Sequence, residues 1–600
     1  MKQIYKNKER NKISQFSNII EKNKKINSHL ENSKKEYKEK ITYKNNENKT
    51  IYLNKLDEIL DIRKIKLRKN NNNALFNSLI HKNNKIESYR SAQNIFLYIL
   101  IIFSLISLTN ESLLLRQLNF LCTVKITFKE TGKNNFLGQN YEFKPDYVWV
   151  NENPIEYQKS VEGKYTILLN ENEFTIKVGW NDPPTSCSNM FNGIQEIIAI
   201  DLSEFDSSKV IDMSYMFSEC SNLASLDLRN LKLSSVKYFN SMFQSCISLT
   251  RIDLSNLDAS SAITMAGMFS HCTSLTYINL SNLKLGAVKN MSYLFNQCNY
   301  VSKIDLLNLD TKSVENMSHM FAQCTALKSL NLSSFDTSSV TDMEEMFSNT
   351  CTLESLDLSN FNTRSLISMK KMFFNSVYLK NLDISSFDTL SVKDMSEVFN
   401  GCSNLETIDI SNFRTTKNTN TFGLFQNCAK LKSLKFPRKT KFLSNNMSFM
   451  FHCCSSLTSF DLSYFDTSKV TKMDYMFNNC IELNYVNLSS INTSSVETMA
   501  YMFKDCQKLE RIDLSKLNIA SLKNMNNMFN ECNSLLFVNL KSLKINGIEI
   551  GNMFNIDSNK NLKLCYDEIL ASDLKEKYPS LPNDCNHPCF KESTKLISEL

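Results

Sequence analysis

The sequence predicts an α/β solenoid: a parallel sheet with one helix per 26-residue coil, closed at its N-terminal end by a small β cap. Three observations carry this. First, Phe recurs at 191, 217, 243, 269, 295, 321, 347, 373, 399, 425, 451, 477, 503 and 529, always 26 residues apart, with a last one at Phe554 after 25. A fixed period of roughly 20–50 residues is the signature of stacked repeats that cannot bury their apolar faces alone. Second, the apolar spacing changes register inside each unit. Third, 600 residues is too long for one ordinary core, while Gly 11 and Pro 8 are too few for a collagenous or Gly-rich chain. Hydrophobic residues at 42% and charged residues at 22% exclude wholesale disorder.

In chain order, residues 1–94 form a Lys/Asn-rich leader with 23 Lys/Arg and 10 Asp/Glu, a net of +13. The remaining residues carry 46 against 52, a net of −6, so the overall +7 describes no single surface. Runs such as Lys22-Asn-Lys-Lys25 and Asn70-Asn-Asn-Asn73 have the composition of a solvated, disordered arm. No zinc spacing, RNA-binding aromatic signature or basic heptad accompanies the charge, so no nucleic-acid partner is expected.

Residues 95–110 contain the apolar run Ile95 to Leu108, preceded by Lys82, Lys85 and Arg90 and followed by Glu111. This reads as a signal-anchor or recessed signal segment, a membrane contact with the leader on the cytosolic side and everything after it outside. A buried core helix is the other reading of a run this short.

Residues 118–186 form the β-rich cap, in which short alternating runs are separated by Asn, Gly and Pro turns. Both Trp residues, Trp149 and Trp180, fall here. The solenoid, about 14 coils, spans residues 187–555. In the unit that ends at Phe347, Leu330 and Leu332 alternate with Ser329, Asn331 and Ser333, a period of two that argues a strand. Val340, Met343, Met346 and Phe347 follow at spacings of three, three and one, read as one face of a helix, with Asp336 to Ser339 as N-cap candidates. Residues 556–600 form a C-terminal cap, where Ile569, Leu570, Leu574 and Tyr578 follow a helical pattern.

The period, the pattern Leu353-x-x-Leu356-x-Leu358-Ser359-x-Phe361 and the segment Phe335-Asp-Thr-Ser-x-Val340-x-x-Met343-x-x-Met346-Phe347 resemble BspA-like leucine-rich-repeat surface proteins. The resemblance covers about residues 187–554. It implies a leucine-rich-repeat-like sheet and a cell-surface or secreted protein of the adhesin or host-interaction kind, with no catalytic residues.

Several residue columns could carry chemistry. Cys220, Cys246, Cys272, Cys298, Cys324, Cys402, Cys428, Cys454, Cys480, Cys506 and Cys532 each lie three residues after a repeat Phe. Thr350 and Ser376 replace Cys on the same rung, which favours a small buried filler over disulfides between coils or a metal ladder. Cys565, Cys585 and Cys589 are off-register, and a local disulfide among them is preferred to a zinc site with His587, whose ligand set is incomplete. The recurrent Asp or Asn at the strand end (Asp357, Asp383, Asp409 and their equivalents) reads either as a solvated face with local backbone hydrogen bonds or as a calcium- or glycan-binding strip. No His, Lys or Ser partners these carboxylates in the pattern, so acid/base catalysis is not indicated.

Two residues before each of these, the side chain varies freely on a fixed scaffold, and repeat arrays bind through such positions. Arg251, Tyr277, Lys303, Tyr485, Arg511 and Phe537 are the candidates from this column, Tyr and Arg being common interface anchors. Lys435, Arg438, Lys439 and Lys441 form a basic patch in the coil that carries the array's Pro437. The expected function is therefore non-enzymatic, without cofactor or metal. It is binding of a protein or glycan ligand on a host or neighbouring cell, by a chain at the cell surface or secreted, single-pass if the signal segment is retained. The alternative is an intracellular repeat scaffold whose basic leader engages acidic partners.

Overall fold

The computed structural model describes residues 122–586 apart from short stretches at 130–131, 151–152, 155–156, 160–164, 170–174, 417–418, 438–440 and 556–560. The leader and the apolar segment 95–110 lie outside the described residues. Within these limits, no helix is long and apolar enough to cross a membrane.

The N-terminal part is β-rich. Strands β1 (Cys122–Phe128), β3 (Tyr147–Val150), β4 (Asn153–Pro154), β7 (Thr175–Trp180) and β8 (Ile197–Asp201) form one sheet in the order β4-β3-β7-β1-β8. Strands β2 (Gly132–Leu137), β5 (Gln158–Lys159) and β6 (Tyr165–Leu169) form another, in the order β2-β6-β5. Because β8 belongs to the first coil yet pairs antiparallel with β1, the sheet seals the apolar end of the array. Trp180, Phe205 and Tyr141 pack there edge to face, all three buried. This removes the exposed end that a stack of repeats would otherwise leave.

The array is a parallel β-solenoid. Most coils contribute a short strand, and neighbours such as Arg251–Asp253, Tyr277–Asn279 and Lys303–Asp305 pair in register with Ile252, Ile278 and Ile304 aligned and buried, but the strand expected around Leu330 and Leu332 does not form. A second line of contact is a ladder of single parallel bridges running from Ser186 through Asp212, Tyr238 and Thr264 to Glu549. The repeat Phe rings stack face to face along the core from Phe191 to Phe554, neighbouring centroids mostly about 5.3 to 5.9 Å apart.

The helix expected in every coil is absent. Val340, Met343, Met346 and Phe347 do face the core, but through consecutive turns. The amides of Val340, Met346 and Ser348 donate to the carbonyls of Thr337, Met343 and Glu345, three residues back. The amides between them, of Met343, Glu345, Phe347 and Asn349, donate instead to Ser368, Lys370, Met372 and Phe374 in the next coil. A helix would spend every amide within its own segment, and its diameter of roughly 10 Å could not stack at the spacing set by the Phe rings. The turns are made possible by left-handed backbone at two columns, represented by Glu345 (φ 52) and Asn349 (φ 57) and repeated in each coil by residues as large as Tyr475 (φ 55). Spacing by three is common to helices and to a chain of turns, which is why the sequence pattern reads as helical.

The shortage of Gly and Pro is met by Asx turns at three corners. Asp357 accepts the amide of Ser359, Asp336 that of Ser338, and Asp342 that of Glu344. Asp336 thus closes a turn where the sequence suggests a helix cap. Beyond the array, a single helical turn, α1 (Ser572–Lys577), buries Leu574 and is followed by the buried Tyr578, whose hydroxyl donates to the Ile550 carbonyl, while Ile569 is exposed.

Candidate functional site: the exposed strand face

Each array strand points its middle residue into the core and its two flanking residues outward, so the variable column and the Asp/Asn column share one face. Register places Tyr277 directly between Arg251 and Lys303. The Arg251 guanidinium lies 5.5 Å and the Lys303 ammonium 5.3 Å from the Tyr277 ring centroid, a cation–π sandwich. Such contacts contribute about 0.5–1 kcal/mol each at exposed sites, enough to preorder the three side chains. A second group lies further along the array. Arg511 pairs in register with Phe537, and Phe537 with Lys563. Tyr485 belongs to the strand Tyr485–Asn487, which pairs with Ser459–Asp461 and not with Arg511–Asp513. The six candidates from this column therefore fall into a trio, a pair and Tyr485 apart from both, not one continuous surface.

The basic patch is less basic than its sequence. Lys435 is exposed but its ammonium lies 3.1 Å from the Asp409 carboxylate, one coil before it. Lys432 is held 2.9 Å from Glu406, and Arg414 is paired with Asp388. Lys441 is exposed, whereas Arg438 and Lys439 lie outside the described residues.

The Asp/Asn column serves the backbone. Besides Asp357, the side chains of Asp253, Asn279, Asp383, Asp409, Asn487 and Asp513 each accept the amide two residues on. The Ser359 amide holds the Asp357 carboxyl below the usual carboxylate range, as hydrogen bonding to the charged form does. No group of three or more His, Cys, Asp or Glu that could hold a metal occurs among the described residues.

On the Cys rung every thiol is buried and donates to the carbonyl of the repeat Phe one coil back, as Cys324 does to Phe295 at 3.2 Å and Cys402 to Phe373 at 3.2 Å. Ser376 makes the same bond to Phe347 at 2.9 Å. The rung thus requires a small donor, and burial pushes the thiols of Cys272, Cys324 and Cys402 up to about 12. Cys565 and Cys585 form a disulfide, while Cys589 and His587 lie outside the described residues.

Two features escape the sequence pattern. One is a ladder of buried threonines. Thr337 donates to the Asn362 carbonyl at 3.1 Å and accepts the Asn362 amide at 2.8 Å, and Thr311, Thr363, Thr389, Thr467 and Thr493 repeat the exchange. The recurrence of Thr after Asp was visible, but nothing in the sequence shows that its hydroxyl closes a corner of the coil. The other is a cleft of about 310 Å³ on the strand face, between Ser433–Lys435 and Ser459–Asp461. Tyr464 on its rim stands in a column otherwise held by Asn, Ser, Lys, Arg or Glu, a signal that an alignment of the repeats against one another exposes.

Fold and face together define a parallel β-solenoid that presents an elongated, side-chain-diverse surface. The family model described as "Mycoplasma protein of unknown function, DUF285" matches residues 185–305, 290–382, 351–436 and 445–565, and the chain belongs to this family. No curated protein matches it. Among solved structures, one described as the crystal structure of a TLR13–ssRNA13 complex is similar at 19% identity and a TM-score of 0.23, covering 56% of this chain. The match spans about half of that chain, 49%.

Proposed function

We propose that this is a non-enzymatic binding protein of the BspA-like leucine-rich-repeat kind, exposed at the cell surface or secreted, which holds a protein or glycan partner on its strand face. The observation that carries the reading is the coincidence of a repeated scaffold with an outward strand column whose residues change freely, including the preordered Arg251, Tyr277 and Lys303. The reading requires no catalytic group, no cofactor and no nucleic acid. The Cys565–Cys585 disulfide supports an oxidising location, since such bonds persist outside the cytosol. The apolar segment at 95–110 supplies the membrane contact in this reading, with the leader cytosolic.

The +13 charge of residues 1–94 favours a second reading, an intracellular scaffold whose leader engages acidic partners. Protease shaving of intact cells followed by fractionation separates the two. Surface display predicts solenoid peptides released from intact cells. Protected solenoid peptides with the full-length chain in the soluble cytosol would refute it.

A further inference from the structure

Two neighbouring coils depart from the others in three columns. Phe436 takes a place held elsewhere by Leu or Ile, Phe460 a place held by Leu, Ile or Val, and Tyr464 a place held by small or polar residues. Phe436 and Phe460 are buried, and Ser433–Lys435 pairs with Thr407–Asp409 but not with Ser459–Asp461. The cleft opens at this step. Leu434 is left half-buried at its base, and Ser433 and Ser459 are too small to fill it.

Its walls are aromatic. The Tyr464 ring, 39% exposed, stacks on Phe436 with centroids 5.5 Å apart and planes within 15°, which fixes its orientation. Tyr485 lines the same cleft, as do Ser433, Ser459 and Asp461. Asp461 already accepts from Ser463 and from Asn487 at 3.0 Å, so it is held rigidly rather than free to swing. Lys432 also lines the cleft but lies 2.9 Å from Glu406, and Lys435 lies 3.1 Å from Asp409, so with Asp461 beside them no uncompensated positive charge favours an anionic ligand.

A volume of about 310 Å³ suits a small ligand, at the lower end of the usual range. A protein partner would instead need roughly 800 Å² of contact on each side. Flat rings beside hydroxyls and a fixed acceptor match a molecule with an apolar C–H face and a rim of hydroxyl groups. We propose that this cleft binds an uncharged saccharide ring, stacked on Tyr464 or Tyr485 and hydrogen-bonded by Ser433, Ser459 and Asp461. The proposal rests on the strand face being a binding surface, and it is independent of where the chain resides.

The test is binding of the purified full-length chain to an immobilised panel of neutral, sialylated and sulfated oligosaccharides and short peptides. Neutral saccharides are expected to bind, with affinity falling about tenfold or more in Tyr464→Ala and in Tyr485→Ala. Tyr464→Phe should retain binding because the ring remains, whereas Ser459→Trp should abolish it by filling the cleft. Unchanged thermal melting of each variant certifies the fold. Tyr277→Ala, in the distant cluster, should leave saccharide binding intact even where it weakens attachment to a partner cell, so the two readings fail separately. Absence of neutral-saccharide binding, preference for sulfated members or peptides, or undiminished binding in both Tyr→Ala variants would overturn the proposal.

Discussion

Replacing Thr337 by Val tests whether the buried hydroxyls hold the coils in shape. Val has nearly the same volume, so packing is preserved while the hydroxyl is lost. Thr337 is fully buried, and its Oγ1 both donates to and accepts from the backbone of Asn362 in the next coil, at 3.1 and 2.8 Å. Val strands an amide and a carbonyl together. Leaving such groups without partners costs about 1–3 kcal/mol. Thr337→Ser keeps the hydroxyl and loses one methyl, a cost of about 1 kcal/mol. Because repeat arrays respond locally, a single global unfolding energy is a poor reporter, and hydrogen exchange at the Asn362 amide is the better assay. The expected acceleration for Thr337→Val is about 5- to 140-fold, from the same energies at 1.4 kcal/mol per decade. Exchange in Thr337→Val no faster than in Thr337→Ser would refute the role assigned to this ladder.

Three further outcomes follow from the same geometry. Phe347 is fully buried between Phe321 and Phe373, each 5.6 Å away, so Phe347→Ala should cost about 3–5 kcal/mol, read as faster hydrogen exchange at the amides of its own and the two flanking coils. A thiol raised by burial to about 12, such as Cys324, is ionised at pH 8 to only about one part in ten thousand, and the reactive thiolate gains only as pH rises toward that value. Native thiol labelling at pH 8 should therefore favour the partly exposed Cys351 and Cys453, and labelling of the rung cysteines at the same rate would contradict the buried ladder. Gln323 sits at φ 60, so Gln323→Val should destabilise by about 1–2 kcal/mol while Gln323→Gly stays near neutral, compared by thermal melting.

Much of the molecule was legible in advance, and the errors have a common cause. The core placement of Leu332, Met346 and Phe347, the interior Cys rung and the backbone role of Asp357 all follow from residue type and period, whereas the strand expected around Leu330 and Leu332 does not form in that unit, although Ser355–Asp357 forms one in the next. The helix was misread because Val340, Met343 and Met346 satisfy two geometries with one spacing. The basic patch was overread because Asp409 is 26 residues from Lys435 in sequence and adjacent to it in space. Tyr464 was missed for the same reason: its stacking on Phe436 joins residues 28 apart whose relation depends on how one coil lies on the next.

The sequence by itself determined the period, which side chains are interior and which column is free to vary, because burial repeats with the chain's own periodicity. Tertiary structure alone decided the path between those points. Whether an amide bonds within its segment or to the next coil depends on the distance between coils, and that distance is set by Phe stacking and strand pairing across the whole array. It is this spacing that turns a helical pattern into turns, neutralises part of a basic patch and lays Tyr464 of one coil on Phe436 of the coil before it, beside the cleft.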